Sequence, residues 1–87
     1  MEITGTIHMI GATQEVSDNF KKKELVINTG GTYPQFIPIQ FANTKIDLLN
    51  GFSHGQNVKV SINLKGREHN GKYYIQAEGW KIEIKTN

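Results

Sequence analysis

The stretch "NVKVSINLKGREHNGKYYIQAEGWKIEI", residues 57–84, carries the strongest strand patterns in the chain. Strict alternation in its first part places four apolar side chains on one face of a predicted strand: Val58, Val60, Ile62 and Leu64. This is the period of a strand with one buried face. Asn70-Gly71 then predicts a tight hairpin turn, because that turn needs positive φ at both central positions. We therefore expect two long antiparallel strands over one core.

Three further strand patterns precede this hairpin, at residues 2–12, 20–29 and 36–42. Gly5 lies where a strongly bent strand would leave no room for a side chain, and Pro38, which has no N–H, suggests a strand edge or a bulge. The inward positions predicted from alternation are Ile3, Ile7, Met9, Leu25, Ile27, Ile37, Ile39 and Phe41.

Residues 44–50 break the alternation and predict one short helix, since Thr44 can cap its start and Gly51 can end it. Gly79 predicts a bulge that changes the facing of Trp80 and the residues after it. Five strands with one short helix between the third and fourth is the order of the OB-fold, a Greek-key barrel. We therefore predict an all-β, five-stranded OB-fold barrel, as a single domain over residues 1–87.

Composition excludes several classes of protein. The chain has 87 residues and no cysteine, which rules out disulfides, thiolate catalysis and cysteine-bound zinc. The start has no basic region followed by an apolar run, and no stretch approaches the ~20 apolar residues that cross a bilayer. We expect a cytoplasmic protein without a membrane association.

Charge and aromatic residues are concentrated around the predicted hairpin turn. The net charge is only +2, but Lys65, Arg67 and Lys72 flank the turn together with Tyr74. Such a rim suits the phosphates and bases of a single strand. The alternatives are a solvated turn and, for Arg67, a salt bridge with a neighbouring glutamate.

Two other aromatic positions of this hairpin have structural interpretations. Tyr73 alternates with Ile75 and Ala77, which predicts packing in the core. Trp80, the only tryptophan, is followed on its face by Ile82 and Ile84, which favours a core or interface role over base stacking.

The segments "FIPIQFANTK", "HGQNVKVSINLKGRE" and "YYIQAEGWKIEI" resemble the pattern of the bacterial single-stranded-DNA-binding proteins. The whole chain also resembles a small bacterial family known only as a domain of unknown function and related to those proteins. The motifs that match it are "MEITG" at 1–5, "YPQ" at 33–35, "KID" at 45–47, the segment 67–73 and "WKIE" at 80–83. Both resemblances imply an OB-fold.

The resemblance to single-stranded-DNA-binding proteins implies roles for particular residues. Phe41 occupies the place of a base-stacking phenylalanine, although core packing is an equal alternative. The family's other stacking positions fall on Gln35 and His69, for which Tyr33 and Tyr74 could substitute. Lys59 is also predicted to belong to the basic surface that binds nucleic acid. The ending also resembles that of small tail-less primosomal OB proteins, which act as dimers.

Catalytic patterns are absent from the sequence. His8, His54 and His69 lack the spacing and the companion ligands of a zinc site, and no hydrolase or nucleotide-binding motif occurs. We therefore expect no catalysis, no cofactor and no metal. The predicted function is nonspecific binding of single-stranded DNA or RNA by a homodimer. The alternatives are a protein-interaction or structural module without nucleic-acid binding and, less favoured, an oligosaccharide-binding module.

Overall fold

A computed structural model describes residues 1–86 as a single sheet of six strands with one short 3-10 helix. The elements are β1 Glu2–Ile10, β2 Gln14–Ser17, β3 Phe20–Asn28, β4 Phe36–Ala42, the 3-10 helix Asn43–Leu49, β5 Asn57–His69 and β6 Lys72–Ile84. The strand order is β1-β5-β6-β4-β3-β2, and β1 also pairs with β3, which closes the sheet on itself. The predicted OB-fold barrel is confirmed, and β2 is an additional strand.

Closure depends on a change of partner within β1. Residues up to Thr6 pair with β5, and residues from Thr6 onward pair with β3. A Cβ atom on Gly5 would lie 2.7 Å from Cγ2 of Ile27 and would overlap the backbone of Asn28. The strand therefore bends where only glycine fits, as its sequence position predicted.

The core consists of the inward side chains of the barrel strands and one helix residue. The buried apolar residues are Ile7, Leu25, Ile27, Ile39, Phe41, Leu49, Val58, Val60 and Ile62. Two predicted core positions, Met9 and Leu64, are instead about half exposed. The β1–β3 register shifts between Ile7 and Met9, which turns Met9 outward. Leu64 faces the predicted side, but β5 has left the barrel at that point.

The short strand β2 lies between the strands predicted at 2–12 and 20–29, where no strand was predicted. It pairs with β3, with Glu15 opposite Lys21, and all its residues are exposed. Within residues 1–86 its other edge has no partner strand. The helix starts one residue before the predicted Thr44 and buries Leu49. No helix in this part of the chain has the length and apolar character needed to span a membrane.

The bulge predicted at Gly79 is confirmed. Ser61 pairs with Lys81 and Ile62 pairs with Gly79, so Trp80 is the extra residue of β6. Its side chain is about half exposed, which removes it from the core. Pro38 lies in β4 between β3 and β6, and β4 pairs with β6 only at Gln40 and Glu78. The proline therefore lies beside a sparsely paired seam rather than on an outer edge.

The β5–β6 hairpin extends past the barrel to a turn at Asn70-Gly71, where φ is 53° and 76°. The pairing continues out to His69 and Lys72, which accounts for a long dimension of 42 Å in this small chain. Tyr73 is 80% exposed and Ile75 is 73% exposed, so the prediction that they pack in the core is wrong. They follow the core side of β6, but nothing in residues 1–86 covers that side beyond the barrel.

Candidate nucleic-acid interface

A groove of about 640 Å³ lies between the outer face of β3 and β4 and the projecting part of the β5–β6 hairpin. We call it the hairpin groove. Its polar and aromatic lining consists of Phe20, Lys22, Glu24, Gln40, Lys65, Arg67, Tyr74, Gln76 and Glu78, and the rest of the lining is Pro38, Gly66, Ile75 and Ala77. It brings together three of the predicted site residues, which are Lys65, Arg67 and Tyr74.

Strand alternation explains why these side chains share one surface. On β5, Lys65 and Arg67 alternate with Leu64 and Gly66, so both basic side chains leave the strand on the side opposite to the core. The β5–β6 register then places Tyr74 directly across from Arg67. A cation and an aromatic ring therefore occupy neighbouring positions by register alone.

Arg67 and Tyr74 contact each other in the groove. The guanidinium carbon lies 5.7 Å from the centre of the tyrosine ring, within the range of a cation–π interaction. Within residues 1–86 Arg67 has no carboxylate partner, so the predicted alternative of a salt bridge to Glu68 or Glu78 is not what forms. The guanidinium keeps donors for a phosphate, and the half-exposed ring keeps surface for a base.

The charge of the groove is only weakly basic. Nζ of Lys65 lies 3.0 Å from Oε1 of Glu78, which compensates part of its charge. Glu24 is a second carboxylate in the lining, and Lys22 is the third basic side chain. Among the described residues Lys22 forms no ion pair. Lys22 and Arg67 are therefore the two cations most available to an anionic ligand.

Two glutamines bridge β4 and β6 in the groove. Nε2 of Gln76 donates a hydrogen bond of 2.7 Å to Oε1 of Gln40. A second groove of about 460 Å³ shares both residues and continues past Lys22 to Gly11, Ala12 and Gln14 around the β1–β2 connection. The two grooves together form a track across the sheet, and the amide groups that line it can donate and accept hydrogen bonds.

An aromatic cluster that the sequence analysis missed lies at the loop end of β4. The rings of His8 and Phe36 are 4.8 Å apart and edge-to-face, and those of His8 and His54 are 6.4 Å apart. Phe36 is about half exposed. Its position could have been predicted, because it alternates with the inward Ile37 and therefore points outward. Lys22 was also missed, although the inward Leu25 and Ile27 of the same strand imply by alternation that Lys22 points outward.

Phe41 does not belong to the interface. Its side chain is fully buried, and a buried ring cannot contact a base. Phe41 is therefore a core residue, which is the alternative interpretation that its alternation with outward-facing neighbours allowed.

Lys59 does not line either groove. Its Nζ lies 3.0 Å from Glu83 and 3.8 Å from Glu2. The hydrogen bond with Glu83, followed by the charge of Glu2, raises the pKa of Lys59. The same pair lowers the pKa of Glu83, mainly through that hydrogen bond. Lys59 is therefore a surface ion-pair residue rather than a member of the candidate site.

The two remaining predicted residues lie away from the hairpin groove. Tyr33 is 87% exposed in the loop between β3 and β4, whose ends are tied by a 2.9 Å hydrogen bond from the N–H of Thr29 to the carbonyl of Gln35. Lys72 is exposed at the tip of the β5–β6 hairpin, opposite His69. Both remain accessible to a ligand that is longer than the groove. Within residues 1–86, no three side chains are arranged to hold a metal ion.

Several solved structures share this fold, including the following two. The dimeric N-terminal domain of the PriB protein from Thermoanaerobacter tencongensis matches with a TM-score of 0.71 and 14% identity, over 100% of this chain and 96% of that chain. A small single-stranded DNA-binding protein from Streptomyces coelicolor matches with a TM-score of 0.58 and 9% identity, over 98% of this chain and 92% of that chain. At such low identity the similarity establishes the fold alone.

Comparison of the sequence alone gives one family match. No curated protein matches the chain significantly. The family model that describes the domain of unknown function DUF3127 matches residues 2–83, nearly the whole chain. The chain therefore belongs to the DUF3127 family.

Proposed function

We propose that this protein binds single-stranded DNA or RNA without sequence specificity, along the hairpin groove. The observation that carries the proposal is the position of the groove. OB-folds bind oligonucleotides on the face of their second and third strands and at the loops beside it. Here β3 and β4 take the places of those strands, and the β5–β6 hairpin takes the place of the last loop.

The chemistry of the lining supports the same ligand. Lys22 and Arg67 offer charge to phosphates, and Tyr74 offers a ring on which a base can stack, an interaction of ~1–3 kcal/mol per base. The amides of Gln40 and Gln76 can bond to base edges of any sequence. Phe36 lies farther along β4, where a longer strand would reach it.

The solved structures add indirect support, because one of the two neighbours is a single-stranded DNA-binding protein and the other is dimeric. We propose that this chain also self-associates as a dimer and acts without catalysis, a cofactor or a metal. A dimer contact along β1 or beside Pro38 stays a prediction, since β1 pairs with β5 only up to Thr6 and β4 pairs with β6 only at Gln40. A cytoplasmic location stays a prediction.

A protein-interaction module is the second candidate, and the carboxylates of Glu24 and Glu78 in the groove favour it. These side chains repel phosphates, and they leave the groove with little net charge. Oligosaccharide binding is less favoured, because an uncharged sugar chain would not need the cations Lys22 and Arg67 of this groove.

Oligonucleotide binding at varied salt distinguishes these functions. Fluorescein-labelled oligo-dT and oligo-rU are titrated with the full chain at low salt, and the titration is repeated as salt rises. We expect binding that weakens with salt, and Lys22→Ala should reduce the slope of log K against log salt by about 0.7, the single-strand coefficient per phosphate. Lys45→Ala is the matched control, because Lys45 is exposed on the helix outside both grooves. No binding at low salt, or equal effects of the two substitutions, would contradict the proposal.

A further inference from the structure

The outward face of β4 continues past the end of the hairpin groove. Phe36, Pro38 and Gln40 alternate to this face, and both Pro38 and Gln40 line the groove. Phe36 is the next outward residue and lies about 7 Å beyond Pro38, since an antiparallel strand rises ~3.4 Å per residue. The outward row of β4 therefore leads from the groove directly to an aromatic ring.

This ring belongs to a cluster of three, which we call the β4 aromatic cluster: His8 on β1, Phe36 on β4 and His54 in the loop before β5. The rings of His8 and Phe36 meet edge-to-face at 4.8 Å, and the ring of His54 lies 6.4 Å from that of His8. All three residues are exposed. Three separate elements thus contribute to one aromatic surface outside the core.

Backbone hydrogen bonds hold the two histidines of the cluster in place. The N–H of Ile7 donates a bond of 2.9 Å to the carbonyl of Gln56, and the N–H of Gly55 donates one of 2.8 Å to the carbonyl of Ile7. These two bonds tie the loop that carries His54 to β1 beside His8. The cluster is therefore preorganised, which lowers the cost of ordering side chains when a ligand binds.

The surroundings of the cluster suit a nucleobase. The β3–β4 register places Asn28 opposite Phe36 and Val26 opposite Pro38, so the outward positions that flank the ring are uncharged. A base of any sequence can stack on an aromatic ring, and the imidazole nitrogens can donate or accept hydrogen bonds at its edge. Rings combined with polar nitrogen atoms, continuous with the hairpin groove, favour a nucleotide over an apolar protein surface.

We propose that the β4 aromatic cluster is a second stacking subsite for the single strand in the hairpin groove, with one base on the ring of Phe36. This inference rests on the proposed function and extends its ligand by a defined distance. The ~7 Å beyond Pro38 corresponds to about two nucleotides of a stacked strand, in which successive nucleotides are ~3.4 Å apart. An oligonucleotide that only fills the groove does not reach the cluster, whereas one about two nucleotides longer does.

Oligo-dT of graded length tests the inference. Oligonucleotides of about 4 to 16 nucleotides, the range of OB-fold site sizes, are titrated with the full chain at low salt. We expect Phe36→Ala to weaken the binding of the long ones by about 5- to 150-fold, with the salt slope unchanged, and to leave the shortest ones that bind unaffected. Tyr74→Ala should weaken the binding of both, because Tyr74 lies in the groove itself.

Two control variants accompany Phe36→Ala. Phe36→Tyr keeps an aromatic ring and should keep the affinity for long oligonucleotides. Ile84→Ala shortens a strand residue of similar exposure outside both grooves and should leave binding at every length unchanged. Circular dichroism checks that each variant is folded.

Photocrosslinking gives a second readout on the unaltered chain, which decides the matter if Phe36→Ala fails to fold. A long oligo-dT carries a single 5-iodouracil at one end or at the other, and mass spectrometry identifies the crosslinked residue. We expect the label at one end to crosslink to Phe36 or His8. Crosslinks that fall only within the hairpin groove from both label positions would overturn the inference.

The outcomes separate this inference from the proposed function. A chain that binds no oligonucleotide of any length would overturn the proposed function and the inference with it. Binding that Phe36→Ala weakens equally at every length, or at none, would overturn the inference alone. Loss of affinity for long oligonucleotides in Phe36→Tyr as large as in Phe36→Ala would also overturn it, since the ring itself would then not be what binds.

Discussion

The ring of Phe41 points its end at Gly79 and fills the space that a side chain of β6 would otherwise occupy. A Cβ atom built on Gly79 would overlap Cζ of the ring and lie 2.7 Å from both Cε atoms. This contact lies beside the one residue pair, Gln40 and Glu78, that joins β4 to β6. The barrel is therefore closed at this seam by side-chain packing more than by backbone hydrogen bonds.

Gly79→Ala should destabilise the protein by about 1–3 kcal/mol, because the added methyl group forces the buried ring of Phe41 to move. Gly66→Ala is the matched control on the facing strand, since its Cβ would meet only the carbonyl oxygen of Tyr74, at 3.8 Å. Urea denaturation followed by circular dichroism measures both variants. Equal midpoints for the two would show that the seam tolerates a side chain.

Tyr74→Ala should weaken oligo-dT binding by about 1–3 kcal/mol and leave the salt slope unchanged, because a stacking ring releases no counterions. Tyr33→Ala removes an equally large ring from outside the groove and should have a smaller effect on a short oligonucleotide. Fluorescence anisotropy at several salt concentrations gives the affinity and the slope together. A larger loss from Tyr33→Ala would move the stacking site to the β3–β4 loop.

Alternation predicted which side of each strand a residue faces, and it succeeded wherever the barrel covers that side. Val58 and Ile62 are buried as expected, because other strands lie over them. Tyr73 and Ile75 follow the same rule of facing, yet they are exposed. The sequence pattern contains no information on where the barrel ends and the hairpin continues alone.

The candidate site was predicted in part for a related reason. Two hairpin residues, Arg67 and Tyr74, could be placed together from the hairpin register. The contribution of Lys22 depends on how β3 lies across from the hairpin, which is a long-range property of the closed sheet. Phe41 was assigned through a family resemblance, whereas its own alternation with Ile39 already indicated the core.

Glu83→Gln should change the acid dependence of stability. The hydrogen bond with Lys59 lowers the pKa of Glu83 in the folded state, and the charges of Lys59 and Lys81 add to this. A carboxylate with a lowered folded pKa stabilises the fold above its unfolded pKa, and this stabilisation is lost as pH falls through the folded value. The pair is partly exposed, so the effect should be small.

Thermal denaturation of Glu83→Gln at pH 7 and at about pH 2.5 measures this effect, since the acidic pH lies below the usual pKa of a glutamate. The wild type should be the more stable protein at pH 7, and the difference should disappear at the acidic pH. Glu68→Gln is the control, because Glu68 forms no ion pair within residues 1–86. A difference of the same size at both pH values would contradict the assignment.

Glu78→Gln should tighten oligo-dT binding and steepen its salt dependence by up to about 0.7 in the log–log slope. The substitution removes the carboxylate that lies 3.0 Å from Lys65, so the ammonium group becomes free to neutralise a phosphate. Glu83→Gln removes the same charge outside both grooves and serves as the control for a general change in net charge. Lys65→Ala in the Glu78→Gln background should return the slope to its wild-type value, since the freed cation is then absent. Binding that responds equally to Glu78→Gln and Glu83→Gln would show that the strand does not pass Lys65, and the path of the ligand along the hairpin groove would have to be redrawn.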